Sequence, residues 1–594
     1  MKIIILLVFL LINTKCISQV YFSPNTNMYV KNEVLYVQQG INLTLNSNLY
    51  LRNNSQLLQG TTGNSANTGL GTLSLYQKGT SDNFDYNYWC SPVGNASNSS
   101  GNENFGIAML SRPTTATASV TSTILPVSSS DGTSNPLAIA PKWVYKLINA
   151  NNYSQWVFVG GSTILAPGEG FSMKGTSGTD STDPEGTGVT NNPGGVQRYD
   201  FRGKPNDGNI TIYLGANNAT LTGNPYPSAL HLNAFLLDPS NVNTGGIAYF
   251  WEQDKTVNSH TLINYRGGYG AYSPISLVSN GVYVPATFNS FNPDGSINNT
   301  GLSSGLIIQR KYSPIGQGFV ISANASGTAT FKNAHRAFYK QGSGLSQFEK
   351  QTPKEKSAKE MEVTEEISYL KLNVIIDNEF TRQLALVFVS RATDGIDIGI
   401  DAQGMDILPN DVSFLIENNN YIIQGINFDP EKKIPIIVKA TTNTTFKFKV
   451  SEVINWDASQ MIYLYDALDD SFHDIKNGMY EVNLVNGIYT DRFKITFKND
   501  KILNTINKNY NPFFINQDNI NNSLKVSNPG NLSLKTFKLY EITGKIILHK
   551  ENLGIEQNYT FSTNGLSSGI YIAEFLTLNN ERFTEKIIIS NSKN

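Results

Sequence analysis

The sequence predicts an all-β, multidomain protein of β-sandwich-like modules, closed by a small C-terminal immunoglobulin-like sandwich. Three observations carry that expectation. Short stretches alternate apolar and polar residues along most of the chain. Gly (49), Tyr (29) and Phe (30) are abundant, and with Asn, Ser and Thr they suit pleated strands joined by tight turns. Helical periodicity is almost confined to the N-terminus and one charged segment. The 594 residues correspond to about three to five domains. Only 15% of residues are charged and the formal net charge is −2, so no positive field gathers nucleic acid, which is not expected as a partner.

Residues 1–18 read as a signal peptide. Lys2 precedes an apolar run, Ile3 to Ile12, that is too short to span a bilayer, and Cys16-Ile17-Ser18 fits a cleavage site. Lys15 stands where a lipoprotein site wants a small residue, which argues against a lipid anchor on Cys16. The mature chain, beginning at Gln19, has no apolar stretch of about eighteen residues, so no transmembrane helix is expected in it. Cys90 is then its only cysteine. It has no partner for a disulfide and no nearby His, and is expected as a small buried apolar residue.

Residues 19–75 form an N-terminal short-strand β region. The bursts at Leu43/Leu45 and Leu49/Leu51 fit either rungs of a solenoid or the lead-in to a sandwich, and either would need to dock on the adjoining domain. Residues 76–200 and 201–340 read as first and second copies of one β-rich unit. "CSPVGNAS" (90–97) answers "TGNPYPSA" (222–229), the aromatic strand "KWVYKL" (142–147) answers "AYFWEQD" (248–254), and "LAPGEGFSMKG" (165–175) answers "YSPIGQGFVISA" (312–323). In both phrases a proline stands one or two residues ahead of Gly-x-Gly-Phe; the proline and glycines turn the chain sharply, and Phe171 or Phe319 then enters a core-facing strand. A phosphate cradle would lead into a helix instead. Residues 341–366 are charge-dense and poor in aromatics, hence a linker. Residues 367–500 resume strands at sandwich-like spacing, and residues 510–594 hold three hairpin-like blocks with glycine turns.

The last block carries Leu539-Tyr540-Glu541-Ile542-Thr543-Gly544-Lys545, then Leu566-Ser567-Ser568-Gly569-Ile570-Tyr571, then Lys586-Ile587-Ile588-Ile589. In this order and spacing the phrases resemble the type A C-terminal sorting domain of the type IX secretion system of Bacteroidetes-type bacteria. Tyr540, Gly544, Lys545, Gly569, Tyr571 and Lys586 are the residues that carry the resemblance most directly. Many such domains open on an Asn-Pro phrase; here "YNPFF" (510–514) and "SNPG" (527–530) are loose matches. The resemblance implies an export signal that folds, type IX secretion machinery as partner, and a chain that is secreted or held on the outer face of the outer membrane. The strand from Ile570 is expected to build the sandwich core, with Gly569 permitting the turn into it. Elsewhere the chain resembles large secreted or surface β-proteins of those bacteria, with no established activity.

No catalytic residues are singled out. The five histidines show no zinc spacing, and no Gly-x-Ser-x-Gly elbow is present. Glu169 and Glu252 lie in motif-rich segments, but Gln317 replaces Glu169 in the other half. Enzymatic status is left open, leaning against. Calcium is the one cofactor candidate, at Asp394, Asp397, Asp401 and Asp406, with a weaker cluster at Asp466, Asp469, Asp470 and Asp474; neither has helical calcium-loop spacing. Trp143, Trp156, Trp251, Tyr265 and Tyr269 are candidates for binding a glycan or surface ligand, with Tyr269, between glycines, expected to be the most exposed. The expected role is adhesive or structural, binding glycans, surfaces or proteins. The alternative is a secreted glycan- or protein-degrading hydrolase with appended β modules.

Overall fold

The computed structural model describes residues 19–292, 297–305, 308–342, 344–348, 365–406, 408–499 and 512–590. The signal peptide and most of the linker expected from the sequence lie outside them. The chain divides into two compact units, residues 1–299 with 305–363, and residues 300–304 with 364–594.

The first unit opens with parallel strands. Val20–Phe22 pairs with Ile41–Leu43, Asn27–Lys31 with Asn48–Arg52, and Val34–Val37 with Gln56–Gln59. Partners are 21, 21 and 22 residues apart (Val20 to Ile41, Asn27 to Asn48, Val34 to Gln56), which is the rung of a β-solenoid. Its corners use asparagine. Asn25 and Asn46 both adopt φ +61°, and the Asn46 amide donates to Asn25 Oδ1 at 3.1 Å. Asparagine tolerates this left-handed conformation and bonds its stacked copy. Of the two readings of this region, the structure takes the solenoid. Asn48–Arg52 then pairs in parallel with Thr72–Lys78, which pairs antiparallel with Arg198–Pro205. Solenoid residues Leu49, Leu51 and Leu57 share one core with Trp89, Phe171 and Phe201.

Two strand pairs carry the glycine motifs. Tyr86–Cys90 runs antiparallel to Gly170–Lys174, with Cys90 opposite Gly170 and Trp89 opposite Phe171. Ala219–Gly223 runs antiparallel to Gly318–Ser322, with Gly223 opposite Gly318 and Thr222 opposite Phe319. Only the first glycine of each Gly-x-Gly serves the turn: Gly168 has φ +83° and Gly316 φ +77°. The second makes room. A Cβ on Gly170 would lie 2.7 Å from the Thr222 carbonyl oxygen, and one on Gly318 2.6 Å from the Tyr88 carbonyl carbon. Ala248–Gln253 is a strand, as its pattern indicates. "KWVYKL" is not a continuous strand. Pro141 opens a 3₁₀ turn, Pro141–Trp143, and only Tyr145–Lys146 pairs as strand.

In the second unit, Ser368–Ile376 pairs with Phe380–Phe388 and Thr444–Ile454 in a five-stranded sheet, and a six-stranded sheet is centred on Lys433–Ala440 and Gly487–Thr496. Phe448 of the first meets Phe493 of the second at 5.8 Å between ring centroids. The tail forms two further sheets. One holds Phe514–Asp518, Ser523–Ser527 and Asn558–Ser562; the other orders Ile546–Gly554, Leu534–Glu541, Gly569–Thr577 and Arg582–Ile589. Their inner faces build a core from the tail's own residues, including Leu524, Phe537, Leu539, Phe575 and Ile589, with Phe537 stacked on Phe561 at 3.9 Å. The turn before Gly569–Thr577 rests on Gly565, at φ +80°. Gly569 itself is the first strand residue, opposite Ile589, so the conformational freedom expected of it belongs to Gly565. In "SNPG", Asn528 is buried and bonds the Leu532 and Glu556 carbonyls, locking that turn.

Candidate aromatic site

Strand periodicity splits "YNYWC". Trp89 enters the core, while Tyr86 and Tyr88 share the other face. Opposite them stand Lys174 and Ser172 of the partner strand. The hairpin of Ala248–Gln253 and Gly267–Ser273, in which Trp251 faces Tyr269, brings its aromatics to this surface.

Two adjoining clusters result. Around Tyr88 gather Trp156 (5.9 Å between centroids), Trp251 (6.4 Å, stacked) and Tyr269, whose hydroxyl lies 2.8 Å from that of Tyr88. Trp251 and Tyr269 meet edge-on at 5.2 Å. Around Tyr86 gather Trp143 and Tyr265, at 6.4 and 6.0 Å. The Lys174 ammonium lies 4.1 Å from the Trp143 centroid, 4.6 Å from that of Tyr265 and 5.0 Å from that of Tyr86, and is hydrogen-bonded to the Tyr265 hydroxyl. Its Nζ also lies 3.1 Å from His260 Nδ1, and His260 Nε2 lies 2.8 Å from Asp131 Oδ1. The imidazole stacks on Trp143 at 5.3 Å. Burial pushes the Lys174 amine down to about 7, against the opposing pull of Asp85, Asp131 and Asp82.

All five aromatic candidates from the sequence therefore fall on one surface. Trp143, Trp156, Trp251 and Tyr269 are half-buried, and Tyr265 is buried. Tyr269 is held by Tyr88, so it is not the freely exposed ring expected from its flanking glycines. Exposed Tyr153, Val157 and Phe158 extend the apolar surface beside Trp156. Sequence reasoning passed over Tyr86, Tyr88, Lys174, His260 and Asp131. A signal was available: Lys174 stands opposite Tyr86, while the matching register of the other motif pair sets Ser322 opposite Ala219.

The carboxylates are engaged elsewhere. Glu169 accepts from Lys146 Nζ at 2.8 Å and from the Ala166 amide at 2.9 Å. Glu252 is buried and accepts from the Tyr283 hydroxyl at 2.5 Å. Asp394 pairs with Lys432, Asp397 accepts from the Thr393 amide, and Asp401 accepts from the Asp397 and Gly425 amides at 2.6 and 2.7 Å. Asp406 offers its backbone carbonyl to Arg382. In the weaker cluster, Asp466 accepts from Arg492 and Tyr480. Among the described residues, no three His, Cys, Asp or Glu side chains gather as a metal centre would require. No helix among them is long and apolar enough to cross a membrane.

In the tail, the three separated phrases converge on one end of the four-stranded sheet. Tyr540 stands opposite Ile572, which stands opposite Lys586; Glu541 stands opposite Tyr571, and Gly569 opposite Ile589. Gly544, at φ +85°, turns the chain between Glu541 and Lys545. Tyr571 is buried and donates to the Ser567 carbonyl at 3.0 Å.

An all-β chain ending in a sandwich with these converging phrases is an exported protein: residues 516–590 match the secretion system C-terminal sorting domain, which makes the chain a secreted or cell-surface protein and implies the type IX secretion machinery as its partner. Residues 11–497 match the domain of unknown function DUF8693, and the chain belongs to that family. No curated protein matches the chain.

Proposed function

We propose that the type IX secretion system delivers this protein to the outer face of the outer membrane or beyond, and that it acts there as an adhesive or structural protein binding glycans through the aromatic surface around Tyr86 and Tyr88. One observation carries the reading: Trp143, Trp156, Trp251 and Tyr269, drawn from four separate segments, are all half-buried on one strand face. Sugar rings stack their C–H faces on such aromatics, while neighbouring polar groups such as Asp131 and His260 receive hydroxyls. The two similar motif strand pairs support descent from one duplicated unit, of which only the first developed the Tyr–Lys couple.

The test is a glycan array probed with the full mature chain, beside Trp156→Ala and Trp251→Ala variants. Glycans retained by the parent and lost by both variants support the reading. Binding that survives both substitutions, or a parent that retains no glycan, overturns it.

A further inference from the structure

We propose that the outward face at one end of the tail's four-stranded sheet, made by Tyr540, Ile546, Ile570, Ile572 and Ile588, is the surface on which a protein of the export machinery docks, one with an apolar face bordered by carboxylates. The proposal rests on the sorting-domain assignment and not on glycan binding.

Residues directly opposite each other in a sheet share a face. Ile546, Tyr540, Ile572 and Lys586 form one row across all four strands, and Ile570 and Ile588 form the next. The alternate residues Leu539, Ala573, Ile587 and Ile589 point into the core. Ile546 is 47% exposed, Ile570 36% and Ile588 63%. Burial in the core therefore does not explain them.

The patch has limits. Toward the other end of the sheet the same face turns polar, with Lys538, His549, Glu574 and Thr584, and Arg582 is tied to Glu574. Ile542, also exposed, stands in the turn that borders the patch, whereas the other exposed aliphatics of the tail, Ile520, Ile555 and Leu578, stand singly in turns. Scattered single residues need no explanation, whereas a contiguous apolar patch on a secreted domain marks a contact surface. Lys545 and Lys586, both exposed, flank the isoleucines, which selects a partner with acidic groups around its apolar centre. The phrases around Tyr540, Gly569 and Lys586, far apart in sequence, meet at this end of the sheet. A domain that serves as a sorting signal must be contacted by the system that sorts it, and this is the face where its apolar side chains are concentrated.

The experiment expresses the full chain in a type IX-competent host and measures the external and periplasmic fractions. In the Ile570→Ser/Ile588→Ser double variant the external fraction is expected to fall at least about tenfold, the loss typical of truncating a central contact residue. The melting profile of the purified chain should match the parent, because both side chains are exposed. Should the serines lower the melt, the Ile570→Thr/Ile588→Thr pair, which keeps the β-branched shape, is read in their place. Lys586→Glu should also reduce export, whereas Ile520→Ser/Leu578→Ser should be exported like the parent. The proposal is overturned if the double variant is exported normally or if the turn variant is impaired equally. It is also overturned if the patch proves to hold a second copy, so that the parent sediments as a dimer and the double variant as an exported monomer. A chain lacking 516–590 that is still exported would instead sink the sorting assignment itself.

Discussion

The hydroxyls of Tyr88 and Tyr269 lie 2.8 Å apart and tie the core strand Tyr86–Cys90 to the hairpin that carries Trp251. This bond sets the position of Tyr269 and, through their 5.2 Å edge contact, of Trp251. Tyr269→Phe keeps the ring and removes the bond. It should cost about 1 kcal/mol in denaturant unfolding, and it should weaken glycan retention less than Trp251→Ala does.

Lys174 gives the first unit a characteristic pH response. Its amine titrates near 7 when folded, against about 10.4 unfolded. Below 7 both states carry the charge, and the penalty of burying it is fully present. Between the two values the unfolded state holds the extra proton, so stability rises with pH, by at most about 1.4 kcal/mol per pH unit. Thermal melts from pH 6 to 10 should show this rise in the parent and a flatter profile in Lys174→Met.

Asp401 produces the opposite slope. Burial raises its carboxyl to about 7, although the Gly425 and Asp397 amides pull it down, and the unfolded value is about 3.9. The folded state keeps a proton that the unfolded state has released, so this contribution is complete below about pH 4 and is lost as pH rises through 7. Melts of Asp401→Asn over pH 4 to 8 should lack that decline.

The glycine packing is tested by Gly318→Ala. The new Cβ would press on the Tyr88 backbone at 2.6 Å, and backbone cannot swing aside as a flexible side chain can. A loss of about 1–3 kcal/mol is expected, as for other overpacked sites. Gly106→Ala, where a Cβ meets nothing within 4 Å, should leave the melt unchanged.

Phe537→Ala probes whether export needs a folded tail. Phe537 is fully buried between Phe561 and Phe575. Its truncation should cost about 3–5 kcal/mol. The tail should then become sensitive to limited proteolysis, and the chain should stay in the periplasm.

Local pattern made much of this architecture legible. Leu43, Leu49 and Leu51 are buried strand residues as their pattern indicates, whereas Leu45 falls in an exposed turn just past its strand, and the recurring Asn-rich bends became solenoid corners because asparagine suits left-handed backbone. The tail phrases were readable because their residues are tied to a fixed register. The site was legible only in part. Aromatic residue type pointed to Trp143, Trp156 and Trp251, but the chain from Lys174 to His260 to Asp131 joins residues 86 and 129 positions apart. Alternation reveals which face a residue occupies, not what meets it there. A turn and a close backbone approach demand the same missing side chain, so local pattern does not separate the second glycines, Gly170 and Gly318, from the first.

Cys90 lies fully buried beside Gly223, and burial pushes its thiol far up, so thiolate is scarce at any physiological pH. Apart from Cys16, which lies outside the described residues, the sequence offers it no second cysteine. Among the described residues the fold therefore owes nothing to cysteine pairing, and an oxidant that reaches Cys90 finds little thiolate to attack unless the strand first opens.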